Sequence, residues 1–178
     1  FSITGGFANG TAGTQQARGG GIFMNNSRAV IATCQVFNNN AADGAAIFMQ
    51  NDCTPFFENC LIVNNSNTGA GAAIAGEESS ARFNHCTIAD NSLFTANQNT
   101  MRFTLSSEPV ITNSIVWGQS TAFAGTAPLV SHSMVQGASV YPGTGNTNAN
   151  PRFVFAAGAN FKLEACSPAI DAANAAVN

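Results

Sequence analysis

Charged residues are scarce in this chain. Asp, Glu, Lys and Arg make up 8% of its 178 residues, against roughly 25% in ordinary soluble domains, and the formal net charge is −3. No basic patch is present to neutralise a phosphate backbone, so we expect no nucleic-acid partner. Hydrophobic residues reach 45%, which excludes a disordered chain. A surface hydrated by Asn, Ser, Thr and Gly suits a secreted protein.

Long apolar runs are missing as well. No stretch of about 18 apolar residues occurs, so the sequence predicts no membrane-spanning helix. No leader peptide is visible at the N-terminus. No window keeps the 3.6-residue periodicity of an amphipathic helix. The chain length suits a single domain with a sizeable core.

Sequence motifs typical of cofactor-binding and catalytic sites are also absent. There is no Gly-x-Ser-x-Gly elbow and no P-loop. No His, Cys and Asp cluster has the spacing of a zinc site, and no calcium-binding repeat occurs. We therefore expect neither a cofactor nor a metal, although the sequence leaves a lone calcium ion at a loop open.

What the chain does contain is a repeat. Five segments share one register, at intervals of 26, 26, 28 and 19 residues, and begin at Cys34, Cys60, Cys86, Ser114 and Ser133. Three residues earlier runs an apolar column of Ile31, Phe57, Phe83, Ile111 and Val130. Two residues later runs a second apolar column of Val36, Ile62, Ile88, Val116 and Val135. Five residues later runs an amide column of Asn39, Asn65, Asn91 and Gln119.

The repeat predicts an all-β solenoid. Short apolar runs bounded by Gly, Asn, Asp and Ser are typical of strands. A unit of about 26 residues buries its apolar side only against its neighbours, so the units must stack. Identical positions on successive coils then lie about 4.8 Å apart. The amide column suits a coil corner, where Asn tolerates left-handed geometry and stacked side chains bond to one another. This pattern predicts a parallel β-helix, but the spacing leaves its handedness open.

Several motifs carry a resemblance to a known group. They are the Gly19-Gly20-Gly21-Ile22 start, the Asn59-Cys60 turn, the terminal Asn150-Pro151-Arg152-Phe153-Val154 and Ser167-Pro168-Ala169-Ile170-Asp171. The chain resembles the right-handed parallel β-helix repeat proteins of bacterial cell surfaces, with choice-of-anchor or polymorphic outer-membrane-protein-like repeats. The resemblance implies a single-stranded right-handed β-helix and an extracellular or cell-surface location. It implies no shared reaction.

The repeat also divides the chain. Residues 1–139 are interpreted as coils, and residues 140–178 as a loop and a capping segment of the same domain. Residues 7–18 and 93–100 are interpreted as loops inserted at coil corners. Residues 151–178 are expected to pack along or over the last coil, with a helical turn or two within 169–177.

The first coil is expected to be incomplete. Residues 1–6 align with the second half of a coil, and Phe1 and Ile3 fall in its strand register. A solenoid end needs a cover, and an open strand edge is a template for pairing. We therefore expect residues 1–6 to be covered, either by preceding coils of a longer parent chain or by another subunit. The second option makes self-association into a filament an alternative function.

The five cysteines fall into two groups. Cys34, Cys60 and Cys86 share the stacked column and are interpreted as small buried residues. Cys53 and Cys166 depart from their neighbours' pattern, and a bridge between them is a hypothesis for an oxidising compartment.

A catalytic centre is not expected. Enzymes that hydrolyse glycosides usually need two carboxylates at a set separation, and the acids here do not gather in one column. The weak alternative is Asp43 with Asp90, at comparable corners two coils apart. His85 and His132 precede the Cys/Ser column by one residue, and we interpret them as polar corner residues.

The sequence therefore favours a secreted or cell-surface structural or adhesive module. Its partners would be glycans or proteins, bound by displayed loops without turnover. The main alternative is a pectate-lyase-like, carbohydrate-active enzyme with a groove along the solenoid.

Overall fold

The protein is a parallel β-solenoid. The computed structural model describes residues 1–68, 72–91, 99–118 and 121–174. Successive coils add one strand to each of three parallel sheets, and some coils add a strand to a short fourth sheet. We number these sheets I to IV in the order in which a coil passes through them. The all-β parallel architecture predicted from the repeat is confirmed.

The strands are short, at two to four residues each. Sheet I contains β3 (Ile22–Asn25), β7 (Ile47–Gln50), β11 (Ile74–Glu77), β14 (Met101–Thr104) and β17 (Phe123–Gly125). Sheet II contains β4 (Val30–Ala32), β8 (Phe56–Glu58), β12 (Arg82–Asn84), β15 (Val110–Thr112) and β18 (Leu129–Ser131). Sheet III contains β1 (Ser2–Thr4), β5 (Gln35–Phe37), β9 (Leu61–Val63), β13 (Thr87–Ala89), β16 (Ile115–Trp117) and β19 (Met134–Val135).

The remaining elements are smaller. Sheet IV contains β2 (Phe7–Ala8), β6 (Asn40–Ala41) and β10 (Ser66–Asn67). An antiparallel pair, β20 (Phe153–Phe155) and β21 (Asn160–Leu163), follows the coils. Single 3₁₀ turns lie at Gln15–Ala17 and Ala156–Gly158. The described residues hold no helix with the length and apolar character needed to cross a bilayer.

Both predicted apolar columns point into the solenoid in the expected register. Phe57 pairs with Phe83, and their rings stack with centroids 4.8 Å apart and planes 6° apart. Ile31 and Ile111 flank this pair on the adjacent coils. Like residues stack on like because the parallel register sets identical positions one strand spacing apart. The interior is therefore a set of continuous apolar columns.

Each coil turns through residues in the left-handed backbone region. The corner between sheets II and III uses Thr33, Asn59, His85, Asn113 and His132, at φ of 49° to 51°. The corner after sheet III uses Asn38, Asn64, Asp90 and Gly118. Left-handed geometry costs energy for most residues, but Asn and Asp bear it through local hydrogen bonds and Gly has no Cβ to clash. The left-handed residue at each corner lets the chain change direction within one residue.

The amide column forms a buried hydrogen-bonded ladder. Asn39 Nδ2 donates to Asn65 Oδ1 over 3.0 Å, and Asn65 Nδ2 donates to Asn91 Oδ1 over 2.9 Å. The same Asn65 side chain accepts from the Asn39 N–H and donates to the Val36 carbonyl. The predicted ladder is confirmed, but its left-handed geometry lies one residue earlier, at Asn38, Asn64 and Asp90. Gln119 lies outside the described residues.

The Cys and Ser side chains of the shared column all make the same hydrogen bond. Each side chain donates to the carbonyl two residues earlier, as Cys60 does to Glu58 over 3.3 Å and Ser114 does to Thr112 over 2.6 Å. Cys34, Cys60 and Cys86 are buried and unbridged, as predicted. A hydrogen bond with Cys60, reinforced by burial, raises the pKa of the Cys86 thiol far above its ordinary value.

The hypothesis of a Cys53–Cys166 bridge is wrong in this structure. Both residues are free thiols. Cys53 is buried, where Sγ donates to the Gln50 carbonyl over 3.1 Å and accepts from the Ser27 N–H over 3.3 Å. Cys166 is exposed. The interior contacts of Cys53 explain its departure from the repeat without a bridge.

Residues 140–150 lie against the last coil. Asn146 Oδ1 accepts from the Ser133 N–H over 3.1 Å, as Ser133 Oγ accepts from the Ser114 N–H one coil earlier. Asn146 therefore continues the Cys/Ser column by one step. Thr147 continues the backbone hydrogen bonding of sheet III. Its carbonyl accepts from the Val135 N–H, and its N–H donates to the Ser133 carbonyl. The loop thus supplies partners to backbone groups that the last coil leaves open.

The rest of the tail packs along the outer face of sheet III. Leu163, Ala169 and Ala173 line a small cavity of about 180 Å³ together with Ile115 and Met134 of that sheet. This agrees with the expected packing along the last coil. The expected helix over 169–177 is wrong for residues 169–174, where the chain forms a turn, and residues 175–177 lie outside the described residues. The short pair β20 and β21 was not predicted.

The expected corner loops are only partly loops. Within residues 7–18, Phe7–Ala8 is strand β2 paired with β6, and Ala17 is fully buried. Of residues 93–100, positions 93–98 lie outside the described residues. At the start of the chain, Ser2 and Ile3 pair with Gln35 and Val36, as the alignment predicted. The covering of residues 1–6 by other coils or by a subunit stays a prediction.

Candidate functional site

Both carboxylate oxygens of Asp43 make contacts that hold the coils together. Its Oδ1 accepts from the N–H groups of Gly44 and Ala72, over 3.0 and 3.1 Å. Its Oδ2 forms an ion pair with Arg102. A carboxylate with this many partners ties adjacent coils together where the chain enters sheet I. Both of its carboxylate oxygens are therefore engaged by neighbouring groups.

Asp90 lies elsewhere, so the two acids do not share a corner. Asp43 stands between sheets IV and I, whereas Asp90 occupies the left-handed position directly after β13 of sheet III. Asp90 replaces the Asn found at this position in the two preceding coils, Asn38 and Asn64. The prediction that Asp43 and Asp90 lie at comparable corners is therefore wrong.

Asp90 instead lines an open pocket between the solenoid and its tail. The cavity measures about 470 Å³. The solenoid wall consists of Asp90, Trp117, Gly118 and Gln136. The tail wall consists of Asn150, Arg152, Phe153, Ala156 and Glu164. We call this cavity the tail pocket.

The solenoid wall follows from the alternation of strand β16. Val116 belongs to the inward column and is fully buried, so Trp117 next to it points outward. Gly118 then makes the corner at φ 102°. A Cβ on Gly118 would come within 2.6 Å of the Asp90 backbone nitrogen and 2.8 Å of its Oδ1. Glycine at this position therefore lets Asp90 and Trp117 line one cavity.

The tail wall is held by polar contacts. Arg152 Nε lies 3.2 Å from Glu164 Oε2, and Arg152 Nη1 donates to the Cys166 carbonyl over 3.3 Å. On the solenoid side, the Gln136 Oε1 accepts from the Gly118 N–H over 2.5 Å. Burial raises the pKa of the Asp90 carboxyl above its ordinary value. The pocket thus combines one partly desolvated acid with an ion pair, two amides and two aromatic rings.

The two histidines lie at one corner of the solenoid. His85 and His132 occupy the same left-handed corner position two coils apart, with Asn113 between them. His132 Nε2 lies 3.1 Å from Asn174 Nδ2, and the Asn174 N–H donates to Asn113 Oδ1 over 2.9 Å. These contacts attach the tail to the corner. No grouping of three metal-binding side chains occurs among the residues that the structure describes.

A second charged group lies on the outer face of sheet I. Arg18 forms two hydrogen bonds to Glu77, at 3.1 and 3.2 Å, and its guanidinium sits 4.5 Å from the centre of the Phe48 ring. Phe48 faces outward yet is fully buried. Arg18 therefore covers the Phe48 ring and pairs with Glu77 from another coil. These contacts give all three residues a structural role.

Sequence reasoning found Asp90 but missed the rest of the tail pocket. One usable signal was Trp117, the chain's one tryptophan, in an outward row that elsewhere holds Phe37, Val63 and Ala89. The contribution of Arg152 and Glu164 had no such signal, because it depends on where a non-repeating tail docks.

Comparison with known proteins places the chain in a family. The family model described as "Right handed beta helix region" matches residues 7–153, and the chain therefore belongs to the right-handed β-helix family. No curated protein and no solved structure matches the chain. The family assignment supports the predicted right-handed coil, and the narrower cell-surface repeat type stays a prediction. The fold is consistent with a solenoid module and also occurs in pectate lyases, so it does not decide between binding and catalysis.

Proposed function

We propose that this protein is a secreted or cell-surface solenoid module that binds glycans through the tail pocket and does not cleave them. The solenoid supplies a rigid wall, and the tail supplies the second wall. The low content of charged residues, 8% of the chain, supports an extracellular setting, since neutral polar groups then provide the hydration.

The observation that carries this proposal is the composition of the tail pocket. Ligand sites are concave and combine apolar or aromatic walls with a few polar groups that fix orientation. Trp117 and Phe153 offer rings. Gln136 and Asn150 offer amide N–H donors, since their amide oxygens already accept from the Gly118 and Arg152 N–H groups. A sugar presents apolar C–H faces and a rim of hydroxyl groups, so this set of side chains matches both parts of it.

The solenoid also explains why such a site is rigid. Trp117 is the last residue of strand β16 and Gly118 follows it, and β16 pairs in register with a strand on each side. A side chain held on a sheet loses little conformational entropy on binding. The pocket is therefore preorganised on its solenoid side.

Glycan binding is testable with an immobilised glycan panel and the complete 178-residue chain. We expect binding that is lost in Trp117→Ala and retained in Phe37→Ala. Phe37 is the matched control because it is an aromatic on the same outward row of sheet III, three strands away. Equal binding by the two variants would exclude the tail pocket, and the absence of binding to any glycan would refute the proposal.

One observation favours the enzymatic alternative. Asp90 and Glu164 both line the tail pocket, and a carboxyl with a raised pKa is the form that acts as a general acid in glycoside hydrolysis. We expect no turnover, because Glu164 is engaged by Arg152. The measurement is product analysis after incubation with the bound glycans. Turnover that disappears in Asp90→Asn and in Glu164→Gln would establish catalysis in place of simple binding.

A further inference from the structure

The charged residues of the tail pocket restrict the class of ligand more than the shape of the pocket does. Its lining contains two carboxylates, Asp90 and Glu164, and one cation, Arg152. The cation is already paired, because its Nε faces Glu164 over 3.2 Å and its Nη1 is bonded to the Cys166 carbonyl. Among the described residues that line the pocket, two carboxylates therefore stand against one cation, and the formal charge of the lining is −1.

An acidic ligand would also meet the Asp90 carboxyl. This group stands at the solenoid wall next to Gly118, and it has no cation among the pocket's lining residues other than the already paired Arg152. Two carboxylates a few ångströms apart repel each other, and the repulsion grows as water is excluded between them. A uronate or a phosphorylated sugar would pay this cost on entry.

A neutral sugar meets none of these penalties. Its hydroxyl groups donate to carboxylate oxygens and both donate to and accept from amides. Its apolar face has weakly positive C–H groups, which complement the negative face of an indole ring. Hydrogen bonds that involve a charged partner are the stronger ones, so the carboxylates attract hydroxyl groups while repelling anions.

We infer that the tail pocket is a binding site for neutral pyranose units and discriminates against uronates and other anionic sugars. This inference rests on the proposed glycan-binding function and deepens it by naming the class of sugar. Trp117 supplies the stacking surface, and Asp90 is the residue that determines the discrimination.

The test compares sugars that differ only in charge. Three matched pairs of tetrasaccharides serve as probes: galactose with galacturonate, glucose with glucuronate, and mannose with mannuronate. Each pair has the same linkage and differs at C6, where a hydroxymethyl group replaces a carboxylate. Titration is followed by fluorescence, because Trp117 is the chain's one tryptophan and reports on this pocket in the unmodified protein.

The expected result is that, in any pair that binds, the neutral member binds about tenfold or more tightly than its uronate. Asp90→Asn is expected to narrow that ratio by strengthening uronate binding, because it removes the repelling charge while keeping the shape. Arg152→Gln is expected to widen the ratio. Added salt should narrow the ratio for the unmodified protein, since ions screen the repulsion.

The failures of the two proposals are distinguishable. Binding of a uronate as tightly as its neutral partner, with the fluorescence change of Trp117, would overturn the inference and leave glycan binding in place. A ratio unchanged by Asp90→Asn would also overturn it, since the discrimination would not come from this charge. Absence of a Trp117 response to all six sugars would remove the proposed function itself. Thermal unfolding of each variant serves as the check on its fold.

Discussion

The interior columns and the tail pocket are built from the same coils but follow opposite rules. In the interior, each coil repeats its neighbour: Phe83 stacks on Phe57, and Asn91 continues the ladder of Asn65. At the pocket, the coils differ: Asp90 stands where Asn64 stood one coil earlier, and Gly118 follows one coil later. Stability is gained by repeating a position along the solenoid, and the tail pocket lies where the repetition stops.

The difference has a physical origin. An inward position has identical neighbours above and below, so the best residue for one coil is also the best for the next. An outward position belongs to no interior column, so it varies between coils without disturbing the stack, whether it is exposed or, as at Phe48 and Ala89, buried. The outward residues Val63, Ala89 and Trp117 therefore differ from coil to coil, while the inward column that includes Val116 is kept.

The largest expected contrast is in thiol reactivity, which separates the interior from the tail. Exposed Cys166 should react with an alkylating reagent at once, while Cys60 and Cys86, which are 3% and 1% exposed, should wait for opening of the coils. With a typical unfolding free energy, the interior thiols should be slower by roughly 1,000-fold or more. Mass spectrometry of timed samples measures this. Fast labelling of the column in the folded protein would mean that the interior is open.

The next largest effect concerns the stacked rings. Phe83→Ala should lower the free energy of unfolding by about 3–5 kcal/mol, because it removes a buried ring and leaves a cavity against Phe57. Leu129→Ala is the matched control, since Leu129 is 71% exposed on the outer face of sheet II, and it should stay within about 0.5 kcal/mol. Denaturant unfolding of both variants decides the matter, and equal costs would contradict the inward assignment.

A smaller effect is expected for the amide ladder. Asn65→Ala removes an acceptor used by the Asn39 N–H and donors to the Val36 and Val63 carbonyls. The buried groups left without partners should cost about 1–3 kcal/mol. Exposed Asn9 provides the comparison, and Asn9→Ala should be close to neutral. A neutral Asn65→Ala in equilibrium unfolding would show that the ladder adds no stability.

The smallest effect belongs to the pocket acid. Burial raises the folded-state pKa of Asp90 above its unfolded value, so the ionised carboxyl reduces stability at neutral pH. Asp90→Asn should therefore be as stable as the parent or slightly more stable at about pH 7. The gain should fade as the pH falls through the folded-state pKa and vanish well below ~3.9, where the carboxyl is protonated in both states. Unfolding midpoints across this range test the sign, and a loss of stability at neutral pH would contradict it.

The sequence predicted the coils well because stacking makes them self-consistent. The positions of Phe57, Phe83 and Ile111 in one column followed from their common offset to the Cys/Ser residues, and the structure pairs them in that register. The tail was predicted less well. The segment after residue 150 has no repeated partner, so β20 and β21 left no periodic signal. The Cys53 and Cys166 bridge failed for a similar reason, since a departure from a pattern does not say what the departing residue contacts.

By itself, the sequence determined the parallel solenoid, its inward columns, the buried thiols and the Asn ladder. It could do so because each of these depends on the distance along the chain between equivalent positions, which the spacing of the repeat states directly. Only the tertiary structure decided that Asp43 is tied to Arg102 while Asp90 shares a cavity with Trp117 and Glu164. That arrangement depends on where a non-repeating tail docks on the outer face of sheet III, and docking is set by surface contacts between segments that the repeat does not relate.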